Sequence, residues 1–82
     1  MTITKTVRVD EFGRYEFRPD LGESIVGRDV EIRDWYGDVR ARVLEVHISE
    51  LSGYPCGLGL ELADGRRVPV FALTSTREIE VL

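Results

Sequence analysis

The 82-residue sequence is poor in the residues that staple, coordinate or catalyse: it holds one cysteine (Cys56), one histidine (His47) and one tryptophan (Trp35). A lone cysteine excludes an internal disulfide framework and a cysteine-based zinc site. One histidine among scattered carboxylates makes no metal-ligand set, and no cofactor or metal is expected. Long hydrophobic runs are missing too. The longest is Val70-Phe71-Ala72-Leu73, far short of the ~20 apolar residues of a membrane-crossing helix. The opening MTITKTVRVD alternates polar with apolar residues and lacks the apolar stretch of a signal peptide. With neither staples nor an export signal, the chain is expected in the cytoplasm. Positive charge is also in short supply, with 11 Lys and Arg against 15 Asp and Glu and a net charge of −4. That balance opposes non-specific attraction to nucleic acid or to an anionic membrane.

Two-residue periodicity runs through most of the chain, which reads as strands. Ile3, Val7 and Val9 share one face of ITKTVRV. After the DEFG turn, Tyr15 and Phe17 share one face of RYEFR, completing a candidate hairpin. PDLGES, Pro19 to Ser24, reads as a connector rich in turn formers. Val30 and Ile32 then alternate with charged neighbours. Beyond the WYGD turn, Val39, Ala41 and Val43 point inward, and the phase shifts to Leu44, Val46 and Ile48. Two adjacent apolar residues at that shift predict a bulge or sharp bend. SELSGYPCG is an irregular loop. Asp64-Gly65 between two apolar runs is the strongest hairpin signal in the sequence, and Pro69 places its strand at an edge or a bulge. LTST leads into a final strand, EIEVL.

About six to seven short strands with tight turns predict an all-β domain, either a small barrel or a β roll. Residues 1–24 form an N-terminal hairpin and connector, and residues 25–82 the barrel-like part. The order of strand, aromatic turn, long bent strand, loop, Asp-Gly hairpin, short turn and closing strand runs from Val26 to Leu82. In that order the chain resembles the SH3-like and Sm-like small barrels.

Little in the sequence points to chemistry. His47 and Cys56 would form a nucleophile–base pair only if they met in space, and Cys56 has no basic neighbour in sequence to activate it. Gly57-Leu58-Gly59 fails as a phosphate loop, because Leu62 stands where a third glycine is needed and no helix follows. Gly59 is better suited to a close backbone approach at a barrel corner. The chain is therefore expected to be no enzyme.

The stretch Val9-Asp10-Glu11-Phe12-Gly13-Arg14, followed by Pro19, resembles the opening of the AbrB/MazE-type swapped-hairpin transcription factors. That resemblance implies DNA-facing roles for Arg8, Arg14 and Arg18. The proline falls one residue late, and DLGESIVG replaces the amphipathic helical turn that follows it in those proteins.

A second set of candidates surrounds the only tryptophan. Trp35 and Tyr36 sit at a hairpin tip, with Arg40 and Arg42 on one face of the next strand and Tyr54 in the later loop. Aromatic residues interleaved with arginine suit protein-contact hot spots. Consecutive side chains diverge, so one of Trp35 and Tyr36 is expected to cap the core while the other faces solvent. The leading expectation is a binding module acting through protein–protein contacts, including a homodimer built on the edge-compatible strands TVRV and EIEVL. A nucleic-acid-binding regulator is the alternative.

Overall fold

The computed structural model describes the backbone of residues 1–82 and every side chain except that of Leu21. Eight strands and one short helix follow one another along the chain: β1 (Thr2–Thr4), β2 (Val7–Arg8), β3 (Tyr15–Glu16), α1 (Pro19–Ser24), β4 (Asp29–Asp34), β5 (Gly37–Ile48), β6 (Pro55–Leu62), β7 (Arg67–Ala72) and β8 (Thr76–Val81). The architecture is all-β. A six-stranded sheet has the order β1-β8-β4-β5-β6-β7, and β2 and β3 form a separate two-stranded sheet. The large sheet does not close into a barrel, since β1 and β7 are its two free edges. No described helix is long and apolar enough to cross a membrane.

The registers explain the alternation seen in the sequence. Ile3 lies opposite Ile79, Ile79 opposite Ile32, and Ile32 opposite Val39, so one apolar row crosses four strands. Val81, Val30, Ala41 and Leu62 make the next row. The intervening positions turn outward and carry charge. The predicted bend in β5 is present: its pairing with β6 slips between Val43 and Glu45. Gly59 faces Glu45 there, and a Cβ on Gly59 would fall 2.6 Å from Glu45 Cγ, so the glycine admits the crossing side chain. Beyond the slip, Leu44 and Ile48 are exposed and Val46 is half-buried, so of the second apolar set expected on β5 only Val46 packs against the core.

The Asp64-Gly65 hairpin forms as expected, closed by hydrogen bonds from Leu62 N–H to Arg66 O (2.8 Å) and from Gly65 N–H to Leu62 O (2.9 Å). Pro69 lies in the edge strand β7, where the pairing with β6 also slips. His47 Nε2 lies 3.0 Å from the Pro69 carbonyl, so the only imidazole braces this irregular edge.

The expected N-terminal hairpin forms around the DEFG turn, but with shorter strands than the alternation suggests. ITKTVRV divides in two. Thr2–Thr4 joins the large sheet beside β8, while Val7 and Arg8 pair with Glu16 and Tyr15. The last strand is therefore internal, held between β1 and β4, and EIEVL offers no edge. Tyr15 and Phe17 also part company, because the chain leaves β3 after Glu16: Tyr15 is 50% exposed and Phe17 only 2%.

The connector expected at Pro19–Ser24 is a helix. Pro19 starts it, where a missing N–H and a fixed φ are harmless. Gly22 lets it press against the sheet, since a Cβ there would stand 3.0 Å from Pro55 Cγ and 3.2 Å from Val46 Cγ1. Phe17, Ile25, Ile3, Leu58, Leu73 and Ile79 then converge, leaving about 10 Å³ between them, too little for more than one water.

Candidate functional site

The β4–β5 hairpin tip is fixed from below by a polar residue in the core-facing series. Val30 and Ile32 point inward, and Asp34 follows in the same phase at 8% exposure. Its Oδ1 accepts the Tyr36 N–H at 3.0 Å, and its Oδ2 accepts the Thr76 hydroxyl at 3.3 Å. Trp35 N–H donates to Ser75 O at 3.0 Å, which ties the tip to the β7–β8 connector. Gly37 has φ +135°, a conformation in which a side chain would be strained, and it lets the chain leave the turn into β5.

This frame presents the two rings outward. Trp35 is 74% exposed and Tyr36 is 87% exposed. Neither caps the core, contrary to expectation. Phe17 and Ile25, which arrive from the N-terminal segment, are buried in the core instead.

Beside Trp35 lies an open groove of about 540 Å³ lined by Lys5, Tyr15, Thr74, Ser75, Thr76 and Arg77. It adjoins a second hollow of about 410 Å³ that shares Lys5, Tyr15 and Thr74 and adds Arg14, Glu16 and Cys56. Lys5 stands between the two. Its Nζ donates to Thr74 O at 3.0 Å and sits 5.8 Å from the Phe17 ring centroid. Burial pushes its amine down from the usual lysine value, and the carboxylates of Glu16 and Asp34 oppose the shift.

The other expected binding residues lie elsewhere. Arg40 and Arg42 belong to the outward face of the sheet. Arg42 Nε lies 3.1 Å from Asp29 Oδ1, and Arg40 Nη2 lies 3.9 Å from Glu31 Oε2. Tyr54 is in the β5–β6 loop, at the opposite end of β5 from the aromatic tip, and is half-buried. Tyr15, Lys5 and Arg77 take their places around Trp35. The register is the signal that would have found them: β8 must pass β4 for Arg77 to flank the tip, and a strand pairing more than half of the chain apart is invisible to local alternation.

The three arginines of the swapped-hairpin resemblance are each engaged by their own segment. Arg8 donates from Nε to Asp10 O (3.2 Å) and from Nη2 to Glu11 O (3.4 Å). Arg14 pairs with the Asp10 carboxylate, and Arg18 Nε lies 3.4 Å from Asp20 Oδ1. Asp10 organises the turn by accepting the N–H groups of Phe12 and Arg14 as well. Burial disfavours its charged form, yet the hydrogen bonds from Arg14 outweigh that and hold the carboxyl below the usual aspartate value. Asp-x-x-Gly-Arg is thus a self-contained turn in this chain.

Cys56 and His47 meet only through the backbone, where the thiol lies 3.4 Å from the His47 carbonyl and the imidazole points to Pro69. Among the described residues, no three His, Cys, Asp or Glu side chains converge to hold a metal ion.

The outward face of the sheet is a lattice of ion pairs centred on Arg33. Its guanidinium reaches Glu80 (2.6 Å), Glu78 (2.8 Å), Glu31 (3.3 Å) and Asp38 (3.5 Å). Partial desolvation works against the cation, but the surrounding carboxylates outweigh it and raise its pKa. Glu31 and Glu80 face each other across strands, an arrangement that repels unless a cation lies between. In Arg33→Ala these carboxylates face one another with no cation between them, so the variant should be destabilised by a like-charge repulsion that salt screens. Thermal melts should show a deficit relative to wild type at low ionic strength that shrinks as salt is added. An equal deficit at low and high salt would mean that Arg33 acts through packing alone.

No known family matches. Neither a family model, nor a curated protein, nor a solved structure corresponds to the chain. Function must therefore be argued from the surface itself, and the aromatic tip with its groove is the feature that the core does not explain.

Proposed function

We propose that the protein is a non-enzymatic binding module acting through protein–protein contacts, with Trp35, Tyr36 and Tyr15 as the docking shelf. The observation that carries this reading is the exposure of Trp35 and Tyr36 on a tip whose backbone is fastened by Asp34 and Ser75. An exposed aromatic on a rigid support binds with little loss of conformational freedom, and tryptophan and tyrosine dominate contact hot spots. A fold that needed these rings for stability would have turned at least one of them inward.

The finer architecture that fits this reading is an SH3-like or Sm-like barrel that remains open. In its favour are the strand order β8-β4-β5-β6-β7, the bent β5 shared by both halves, and the short connector before the closing strand. In such small barrels the loops at one end carry recognition, and here that end carries Trp35. Self-association has the edges β1 and β7 of the large sheet available, and those of the two-stranded β2–β3 sheet, which includes Val7 and Arg8 of TVRV. Of these β7 is blunted by Pro69 and its slipped register.

The test is a displayed random-peptide selection against the immobilised protein, followed by titration of the selected peptides into wild type and Trp35→Ala. Selected peptides are expected to perturb the fluorescence of the single tryptophan and to lose affinity in the variant. Peptides that bind both proteins equally would move the docking surface elsewhere.

A further inference from the structure

The groove beside Trp35 has a charge opposite to that of the whole molecule. Its two adjoining hollows are lined by Lys5, Arg14 and Arg77 with the carboxylate of Glu16; Arg14 is paired with Asp10, so Lys5 and Arg77 carry the positive charge of the groove, while the chain carries −4. Arg77 is exposed and makes no ion pair among the described residues. Its neighbour Glu78 is turned to the other face, where Arg33 holds it at 2.8 Å. Lys5 spends one donor on Thr74 O and keeps two. The aromatic walls, Trp35 and Tyr15, stand in the same groove as these cations.

We propose that this groove takes an acidic peptide segment of a partner protein, with carboxylates at Arg77 and Lys5 and an apolar side chain against Trp35 and Tyr15. The inference rests on the reading of Trp35 as a docking residue and adds to it the chemistry of the partner. Charge complementarity selects this occupant. Arginine offers paired donors that match a carboxylate, and the flanking rings supply the apolar contact that fixes the peptide's position. A nucleic-acid strand is a poorer match. It needs cations along several successive phosphates, whereas this groove is short and includes Glu16.

The experiment uses fluorescein-labelled peptides that share the same leucine and proline residues and differ only in having acidic, neutral or basic flanks. Anisotropy titrations are run at low and high salt against wild type, Arg77→Gln and Trp35→Ala. Acidic peptides are expected to bind about tenfold more tightly than neutral ones, the factor expected of one good charge-assisted contact, and to weaken as salt rises. Arg77→Gln should remove that advantage and leave neutral peptides unaffected, and because the exposed Arg77 makes no ion pair among the described residues the variant should fold as wild type. Trp35→Ala should weaken all of them. Equal binding of acidic and neutral peptides with a silent Arg77→Gln overturns the acidic partner but leaves the Trp35 surface standing. A silent Trp35→Ala, or no binding by any peptide, overturns both. Tighter binding of an oligothymidylate strand than of the acidic peptide also overturns the proposal. So does light scattering that shows a second copy on this surface, released by Trp35→Ala.

Discussion

Phe17→Ala is expected to abolish cooperative unfolding or bring it close to that point. Phe17 is the largest side chain in the core, 2% exposed, and it is enclosed with Ile3, Ile25, Leu58, Leu73 and Ile79 around almost no free space. Truncating a buried phenylalanine costs about 3–5 kcal/mol through lost transfer energy and the cavity left behind. A domain of this length holds only about 4–12 kcal/mol in total, at roughly 0.05–0.15 kcal/mol per residue. The position also matters for how the chain is organised. Phe17 lies between β3 and α1, so its loss removes the contact by which the N-terminal segment seals the large sheet. Urea titration should show a strongly shifted or absent transition for Phe17→Ala, whereas Phe17→Leu, which keeps most of the volume, should retain a cooperative one. A loss below about 1 kcal/mol for the alanine variant, the scale of a surface change, would mean that residues 1–24 are an appendage to the core.

Trp35→Ala is expected to show the reverse partition, with folding intact and binding lost. The Trp35 ring is three-quarters exposed, and the tip is held by its backbone N–H and by Asp34 rather than by the indole. Its removal should change stability by no more than about 0.5 kcal/mol, as surface substitutions do. Binding of a docked peptide should weaken by about 2 kcal/mol or more, the scale of an aromatic hot spot, which is roughly a thirtyfold rise in Kd. The two quantities come from a denaturant titration and a peptide titration of the same preparation. A variant that loses stability and binding together would assign the indole a structural role.

The strand pattern was legible wherever one face is buried and the other is wet. Val30 and Ile32 alternate with charges because β4 lies in the middle of the sheet, and the doubled apolar pair at Val43-Leu44 marks the slip against β6. Asp-Gly at 64–65 and Pro69 carry their conformational meaning locally, so both could be placed without the fold. Helix α1 was not legible in the same way. Pro19, Asp20 and Gly22 are turn formers by propensity, and the six-residue helix exists because Gly22 packs against Val46 and Pro55. Tertiary contact overrides a weak local preference there.

The site was half legible for a related reason. Trp35 and Tyr36 stood out as aromatics at a turn, but divergence of neighbouring side chains suggested that one of them must enter the core. Phe17 and Ile25 from the N-terminal segment supply core volume instead, and both rings are left outside. Tyr54 belongs with them only if the later loop returns to the tip, yet β5 carries it to the opposite end. Lys5, Tyr15 and Arg77 reach the groove only through the pairing of β1 with β8 and of β8 with β4. Asp34 breaks the expected rule that core-facing strand positions are apolar, and its burial is what lets the tip hold its shape.

The central claim, that the only tryptophan stands in water on a fixed tip, is tested most directly by collisional quenching of the wild-type tryptophan emission by acrylamide, measured folded and in denaturant. Because all indole emission comes from Trp35, the signal has one source. The expected result is a red-shifted emission in the folded protein, with quenching nearly as efficient as in the unfolded chain. A blue-shifted emission protected from acrylamide until the protein unfolds would contradict the account.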